Sequence, residues 1–139
     1  GKITPYLGAL PLPSNIKAMR SFLDAIRTRI EEGSFIMVYP EAHIWPYYTG
    51  IRDFPATSMK YPVELDVPSF TLTTTYHRRR LGRKPRTVTY LDGPFYPDHS
   101  LPPRARAQAL RDEIYETMVG RSKESDCEYI RYVKKEENT

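Results

Sequence analysis

The sequence has a single cysteine, Cys127, only three histidines, and no apolar stretch near the ~20 residues that cross a bilayer. One cysteine excludes an internal disulfide and any cysteine-based zinc site, and it suits a reducing compartment. Neither G-x-G-x-x-G nor G-x-x-x-x-G-K occurs, so nucleotide binding by those two phosphate-cradling routes is excluded. The strained elbow G-x-S-x-G is also missing. A Ser-His-Asp triad needs no local motif, because its members meet only in space. There is no signal-peptide pattern, internal repeat or low-complexity block. The chain opens GKITPYLG without Met, and the expectation is a piece of a longer protein.

What is present is a chain of 139 residues, the size of one domain or part of one. Hydrophobic residues make up 40%, enough to support a core. Eleven Tyr against five Phe point to a core edge or groove with a wet rim, since a buried Tyr ring still needs a partner for its hydroxyl. The thirteen Pro are scattered as punctuation between elements and do not form a repeat. The formal net charge is +4, yet the segment 77–86, HRRRLGRKPR, holds six Arg/Lys and no acid. That cluster exceeds the whole net charge, so the remainder is slightly acidic. It favours phosphates or an anionic membrane surface, unless it is simply a solvated hairpin tip.

Along the chain, residues 1–13 carry Pro5, Pro11 and Pro13 and predict a short edge strand and a turn. Ser14 or Asn15 can cap a helix over 15–32, where Met19, Phe22, Leu23, Ile26 and Ile30 recur at helical spacing and Gly33 is the stop. The run SFIMVY, 34–39, predicts a strand covered on both faces, as in a parallel sheet, with the preceding helix as half of a β-α-β unit. Residues 56–66 predict a short helix broken near Pro62. Residues 67–77 and 87–91 predict two strands, a hairpin with a long basic tip or two neighbours. Asp92-Gly93-Pro94 predicts a turn. Pro102-Pro103 opens a last helix whose stripe is Ala107, Leu110, Ile114 and Met118, ending at Gly120. The charged tail 121–139 is either a further amphipathic helix or partly disordered. The fold class expected is α/β, a mixed, mostly parallel sheet with flanking helices.

Chemistry concentrates in 38–55, VYPEAHIWPYYTGIRDFP. A carboxylate, a His, the only Trp, two Tyr and an Arg follow an apolar run, in the kind of loop that binds ligands at the carboxyl end of a strand. The alternative is a rigid aromatic loop that only covers the sheet. Glu41 and His43 alternate by two, which is weak support for a metal, and none is expected. A basic hairpin with Tyr76, Tyr90 or Phe70 on the sheet could stack nucleic-acid bases, but no RNA- or DNA-binding motif accompanies it, and no nucleic-acid partner is expected.

The order PYLGALPLP, helix, EEGSFIMVYPE, short helix, VPSFTLTTTYH resembles that of the PlsC-type glycerolphosphate and lysophospholipid acyltransferases. Pro40-Glu41 matches the start of that family's PEGTR motif, with Ala42 in place of Gly. The extended YPE-x-x-x-W-x-Y-Y loop is similar to one group within it. The resemblance covers roughly residues 4–95. It implies a partial glycerolphosphate-acyltransferase-like domain, with 1–120 as its later portion and 121–139 as a charged tail. It further implies phospholipid synthesis, in which a fatty acyl group moves from acyl-CoA or acyl-ACP, as co-substrate, to a glycerol-phosphate or lysophospholipid hydroxyl. No cofactor is bound, and the partners are a glycerolipid acceptor, an acyl thioester donor and a peripheral contact with the cytoplasmic side of a membrane.

The family's His-x-x-x-x-Asp pair is missing: five residues after His43, His77 and His99 stand Tyr48, Gly82 and Arg104. The resemblance places that pair upstream of Gly1, so no catalytic residue is expected here and the isolated chain is expected to be inactive. Ile44 stands where the family's phosphate-holding Arg is expected, which leaves Arg52 and His43 as replacements. The substrate-binding set is therefore Pro40, Glu41, Ala42, His43, Trp45 and Arg52. Arg52 can instead be spent in a salt bridge to Asp53 or Glu41, and Glu41 in a loop cap. Trp45, Tyr47 and Tyr48 wall a groove or pack the end of the sheet. The alternative function is a non-catalytic module for phosphate-rich lipid or RNA.

Overall fold

A computed structural model describes residues 15–41 and 43–133. The expected edge strand at 1–13 and the last six residues lie outside them, as does Ala42. The chain divides into two compact units at Val38 and Tyr39.

The first unit contains helix α1, Ile16–Glu31. Its start is fixed by Asn15, whose side-chain oxygen accepts from the Ala18 N–H at 2.8 Å and satisfies a donor that the first turn leaves over. Its end is fixed by Gly33 at φ +82°, with Ser34 N donating to Arg29 O at 2.8 Å. Ile26 is buried. The strand expected over 34–39 does not form. These residues have no regular structure, and Phe35, Met37, Val38 and Tyr39 are exposed. An apolar run becomes a strand only where a neighbour accepts and donates along its ladder, and the two strands described pair only with each other.

The second unit is a hairpin with one long helix against it. After the loop 39–55 comes a 3-10 turn, Ala56–Met59, and the short helix α2, Lys60–Leu65. Pro62 does not break α2, because it sits in the first turn, where its missing N–H has no intrahelical partner to lose. Strands β1, Ser69–His77, and β2, Arg86–Phe95, pair antiparallel from Ser69↔Phe95 to His77↔Arg86. The sheet is thus two-stranded and antiparallel, which corrects the mostly parallel sheet expected above, and the fold combines helices with this small sheet.

Asp92-Gly93-Pro94 is not a turn but a bulge within β2. The register shifts between Ser69 and Thr71, where two residues of β2, Gly93 and Pro94, face one of β1, Phe70. Gly93 has φ +126°, and a Cβ there would lie 2.9 Å from Ser69 O, so the sequence uses its glycine where backbone meets backbone.

Helix α3, Pro103–Ser122, begins with Pro at its first position and runs through Gly120 to Ser122. It packs on β1 and on the 3-10 turn. Ala107, Leu110, Ile114 and Met118 form its buried stripe with Phe54, Met59 and Phe95. Beyond it, 123–133 is neither a helix nor detached. It is an irregular strap along the end of β1, with Asp126 N and Cys127 N donating to Tyr76 O at 3.0 and 3.2 Å.

The hairpin is inverted relative to ordinary strand patterning. Its covered face carries Thr71, Thr73 and Thr75, while Phe70 and Leu72 on the other face are more than half exposed, as is Leu91 opposite Leu72. Thr71 and Thr73 hydroxyls are buried with no partner among the described residues.

Candidate functional site

The loop 39–55 is held from both ends and by its own turn. Trp45 to Tyr48 make a tight turn, with Tyr48 N donating to Trp45 O at 3.1 Å. Pro46 sets the second position, and Tyr47 at φ +60° takes the third, where Gly or Asn normally supplies a positive φ. A Tyr in that region costs about 1 kcal/mol of backbone strain. Its ring explains why it is there: Tyr47 packs on Tyr76 of β1 at 5.5 Å between centroids and on Tyr129 of the strap at 4.8 Å. Burial pushes the Tyr76 hydroxyl above its ordinary value. The far end of the loop is pinned by Arg111 of α3, whose Nε donates to Phe54 O at 2.8 Å and whose guanidinium pairs with Asp53 and Asp112. That guanidinium also lies over the rings of Phe54 and Tyr115, at 5.0 and 4.3 Å. Hydrogen bonding to Asp112 raises the already high pKa of Arg111, so it stays charged.

Between these anchors the loop brings together three of the expected residues. Glu41 Oε2 accepts from the Arg52 backbone N–H at 2.8 Å, and Arg52 Nη1 donates to Glu41 O at 3.4 Å. The Arg52 guanidinium lies 4.5 Å over the Trp45 ring. Arg52 therefore makes no ion pair with Asp53, which goes to Arg111, and the Glu41 carboxylate caps a backbone donor. Arg52 keeps Nε and Nη2 without a partner among the described residues, half-buried and oriented by an aromatic face. Such a fork can take two oxygens of one phosphate. Pro40 lies in the same bend, and His43 N donates to Glu41 O at 2.7 Å while its residue is exposed. Among the described residues no contact brings the His43 ring to Arg52.

The aromatic residues after Glu41 pack on the strap. Trp45 stacks on Tyr132 at 4.9 Å and 19°, Tyr48 meets both rings edge-on, and Tyr132 Oη donates to Pro46 O at 2.8 Å. Of the two expectations for these rings, groove wall or packing, the second describes their inner faces, while Trp45 still shows 40% of its surface.

A constellation that local spacing does not reveal sits beside them. Thr75 Oγ1 is 2.8 Å from His77 Nε2, and His77 Nδ1 is 3.3 Å from Asp126 Oδ2. Their order is the hydroxyl–imidazole–carboxylate order of a triad, but the single Thr75 proton is donated to Val88 O, so the hydroxyl can only accept from Nε2 and is not primed as a nucleophile. Thr75 is fully buried and also lies 3.2 Å from Val88 O, so no substrate carbon reaches its oxygen. The three residues act instead as a clamp that ties the strap to the hairpin. Asp126 also accepts from Arg78 N at 2.7 Å, and that bond, ahead of His77, holds its carboxyl below the usual range. A second clamp is Arg121 on Asp92, with three contacts of 2.8 to 3.1 Å, which lowers the Asp92 carboxyl; the same guanidinium covers Tyr90 at 4.5 Å.

An open depression of 410 Å³ is lined by Thr49, Arg78, Ser122, Lys123, Asp126 and Cys127 and shares no residue with Glu41, Trp45 or Arg52. Its lining mixes both charge signs, so it has no preference for an anion. Among the described residues no three His, Cys, Asp or Glu come together as metal ligands, and no helix is long and apolar enough to cross a membrane. No family model, curated protein or solved structure matches this chain.

Proposed function

We propose that this chain is the acceptor-holding part of a PlsC-type acyltransferase domain, in a protein that acylates a glycerol-phosphate or lysophospholipid hydroxyl from acyl-CoA or acyl-ACP. One observation carries the proposal: a single loop holds Glu41, Trp45 and Arg52 together, with Arg52 stacked on the indole and part of its fork open. The division of labour follows from that geometry. Arg52 takes the acceptor's phosphate. Glu41 does no proton transfer; its carboxylate fixes the Arg52 backbone, and its carbonyl fixes the guanidinium. Trp45 supplies the platform that keeps the fork in plane. The general base that removes the hydroxyl proton, and the carboxylate that orients it, belong to the parent protein's His-x-x-x-x-Asp pair. The parent works peripherally at the cytoplasmic membrane surface.

The test uses Trp45, the chain's one Trp and the platform under Arg52. Titration with lysophosphatidic acid below its micellar concentration is expected to change Trp45 emission saturably. Arg52→Gln is expected to weaken the apparent affinity at least tenfold, since a charge-assisted phosphate contact is worth about 1.5–3 kcal/mol. The isolated chain, freed of host enzymes, is expected to show no turnover of acyl-CoA with any acceptor. Equal titrations for the wild type and Arg52→Gln would remove Arg52 from the site. Measurable turnover by these 139 residues would overturn the division of labour. Saturable anion binding in the chain, combined with a parent protein that lacks any His-x-x-x-x-Asp, would favour the non-catalytic phosphate-binding module.

A further inference from the structure

The hairpin tip carries cations that no acid neutralises among the described residues. It spans 78–85, and both its feet are fixed. His77 and Arg86 are the last paired residues, Asp126 Oδ1 accepts from Arg78 N at 2.7 Å, and Pro85 is buried. Between the feet, Arg79, Arg80, Arg83 and Lys84 are exposed and have no ion-pair partner among the described residues. At the apex, next to Gly82 at φ +96°, stands Leu81, 84% exposed and flanked on both sides by the cations.

A purely electrostatic partner would leave Leu81 with nothing to do. A single-stranded nucleic acid would need aromatic faces beside the charges. The segment 78–86 contains no aromatic residue, and the nearest strand rings are spent: Arg121 covers Tyr90, and Tyr47 packs on Tyr76. An exposed leucine with cations on either side of it in the turn fits one surface chemistry, the interface of a bilayer with anionic headgroups. There phosphates meet the forks and the acyl boundary receives the leucine. We propose that the 78–85 tip is a membrane-docking finger, with Leu81 entering the headgroup–acyl boundary and Arg79, Arg80, Arg83 and Lys84 seated on anionic lipid phosphates. This deepens the lipid reading above and rests on it for the choice of partner, but it needs neither the acceptor site nor catalysis.

The experiment is co-sedimentation of the full chain with vesicles of equal parts phosphatidylglycerol and phosphatidylcholine, against vesicles of phosphatidylcholine alone. Binding to the anionic vesicles is expected and should fall steeply with salt. The double variant Arg80→Gln/Arg83→Gln should lower partitioning roughly thirtyfold, from the loss of two surface charges. Leu81→Ala should lower it about threefold to tenfold while leaving the salt slope unchanged. Leu81→Trp should add an emission component that brominated acyl chains quench. Arg52→Gln should bind vesicles like the wild type, so a failure at the acceptor loop stays separate from a failure at the tip. Equal binding to neutral vesicles, no effect of either tip variant, or an unquenched Trp at position 81 would each overturn the finger. So would a preference for single-stranded RNA over vesicles that the same variants abolish, and it would reassign the tip to nucleic acid.

Discussion

Removing the Tyr132 ring by Tyr132→Ala is expected to release the strap from the candidate loop without unfolding the second unit. Three contacts go at once: the stack on Trp45 at 4.9 Å, the edge contact with Tyr48 at 5.5 Å, and the Oη bond to Pro46 O at 2.8 Å. Aromatic pairs contribute about 0.5–1.5 kcal/mol each, and a net hydrogen bond about as much. Tyr132 retains 36% of its exposure, which reduces each share, so the docked strap loses about 2 kcal/mol. That is roughly a thirtyfold change in the docked-to-released ratio. The core of α3 and the hairpin does not include Tyr132, so the melting temperature should hardly move. The reporter is again Trp45: its emission should shift to the red and become more accessible to iodide. Tyr129→Ala, which removes the partner of Tyr47, should do less to Trp45 because their rings do not meet. An unchanged Trp45 spectrum in Tyr132→Ala would refute the view that the strap seals the loop.

Two further outcomes concern stability. The buried, unpartnered hydroxyls of Thr71 and Thr73 make Thr71→Val and Thr73→Val stabilising, each by roughly 1 kcal/mol in urea unfolding, and destabilisation by both would show that those hydroxyls have partners. Stability should also fall in acid. The Asp92, Asp98, Glu124 and Asp126 carboxyls are all held below their ordinary values, through Arg121, Ser100, Tyr90 and the Arg78 N–H respectively. A depressed carboxyl stabilises the fold fully above its unfolded value and loses that contribution as pH falls through the folded one. Thermal melts should therefore be level near neutrality and decline below about pH 4; a flat profile down to pH 2.5 would contradict these pairings.

Local signals in the sequence were read correctly where local physics decides. Asn15 and Gly33 bound α1 because a cap oxygen and a left-handed residue act within one turn. The stripe from Ala107 to Met118 is buried as spaced, and the two strands pair as a long-tipped hairpin. The errors came where partners decide. SFIMVY has strand composition, but a strand is a relation between two segments, and composition names only one. Strand composition alone did not say which face of β1 is covered; α3 packs on β1, and the Thr71, Thr73 and Thr75 face is the buried one. In the candidate site, Glu41 and Arg52 were both legible, and so was the chance that they bind each other. The clamps were not: His77 meets Asp126 across 49 residues, and Arg111 reaches Asp53 across 58. The tail's alternation of charges gave no sign that Asp126 would face a histidine at the end of β1.

The open face of the hairpin has a consequence for the behaviour of the chain in solution. Phe70, Leu72 and Leu91 lie on one side of a two-stranded sheet, and among the described residues the strap closes the outer edge of β1 only near Tyr76. Apolar side chains beside unpaired backbone groups are the surface on which strands of separate molecules recruit one another. The opposing force is at the far end, where six Arg/Lys in 77–86 repel their counterparts on a second copy. Colloidal stability is thus set by long-range repulsion from one end of the hairpin against short-range adhesion along its middle, and only the first is screened by ions. Salt, which loosens a basic finger from its target, would be expected to drive this chain toward its own kind.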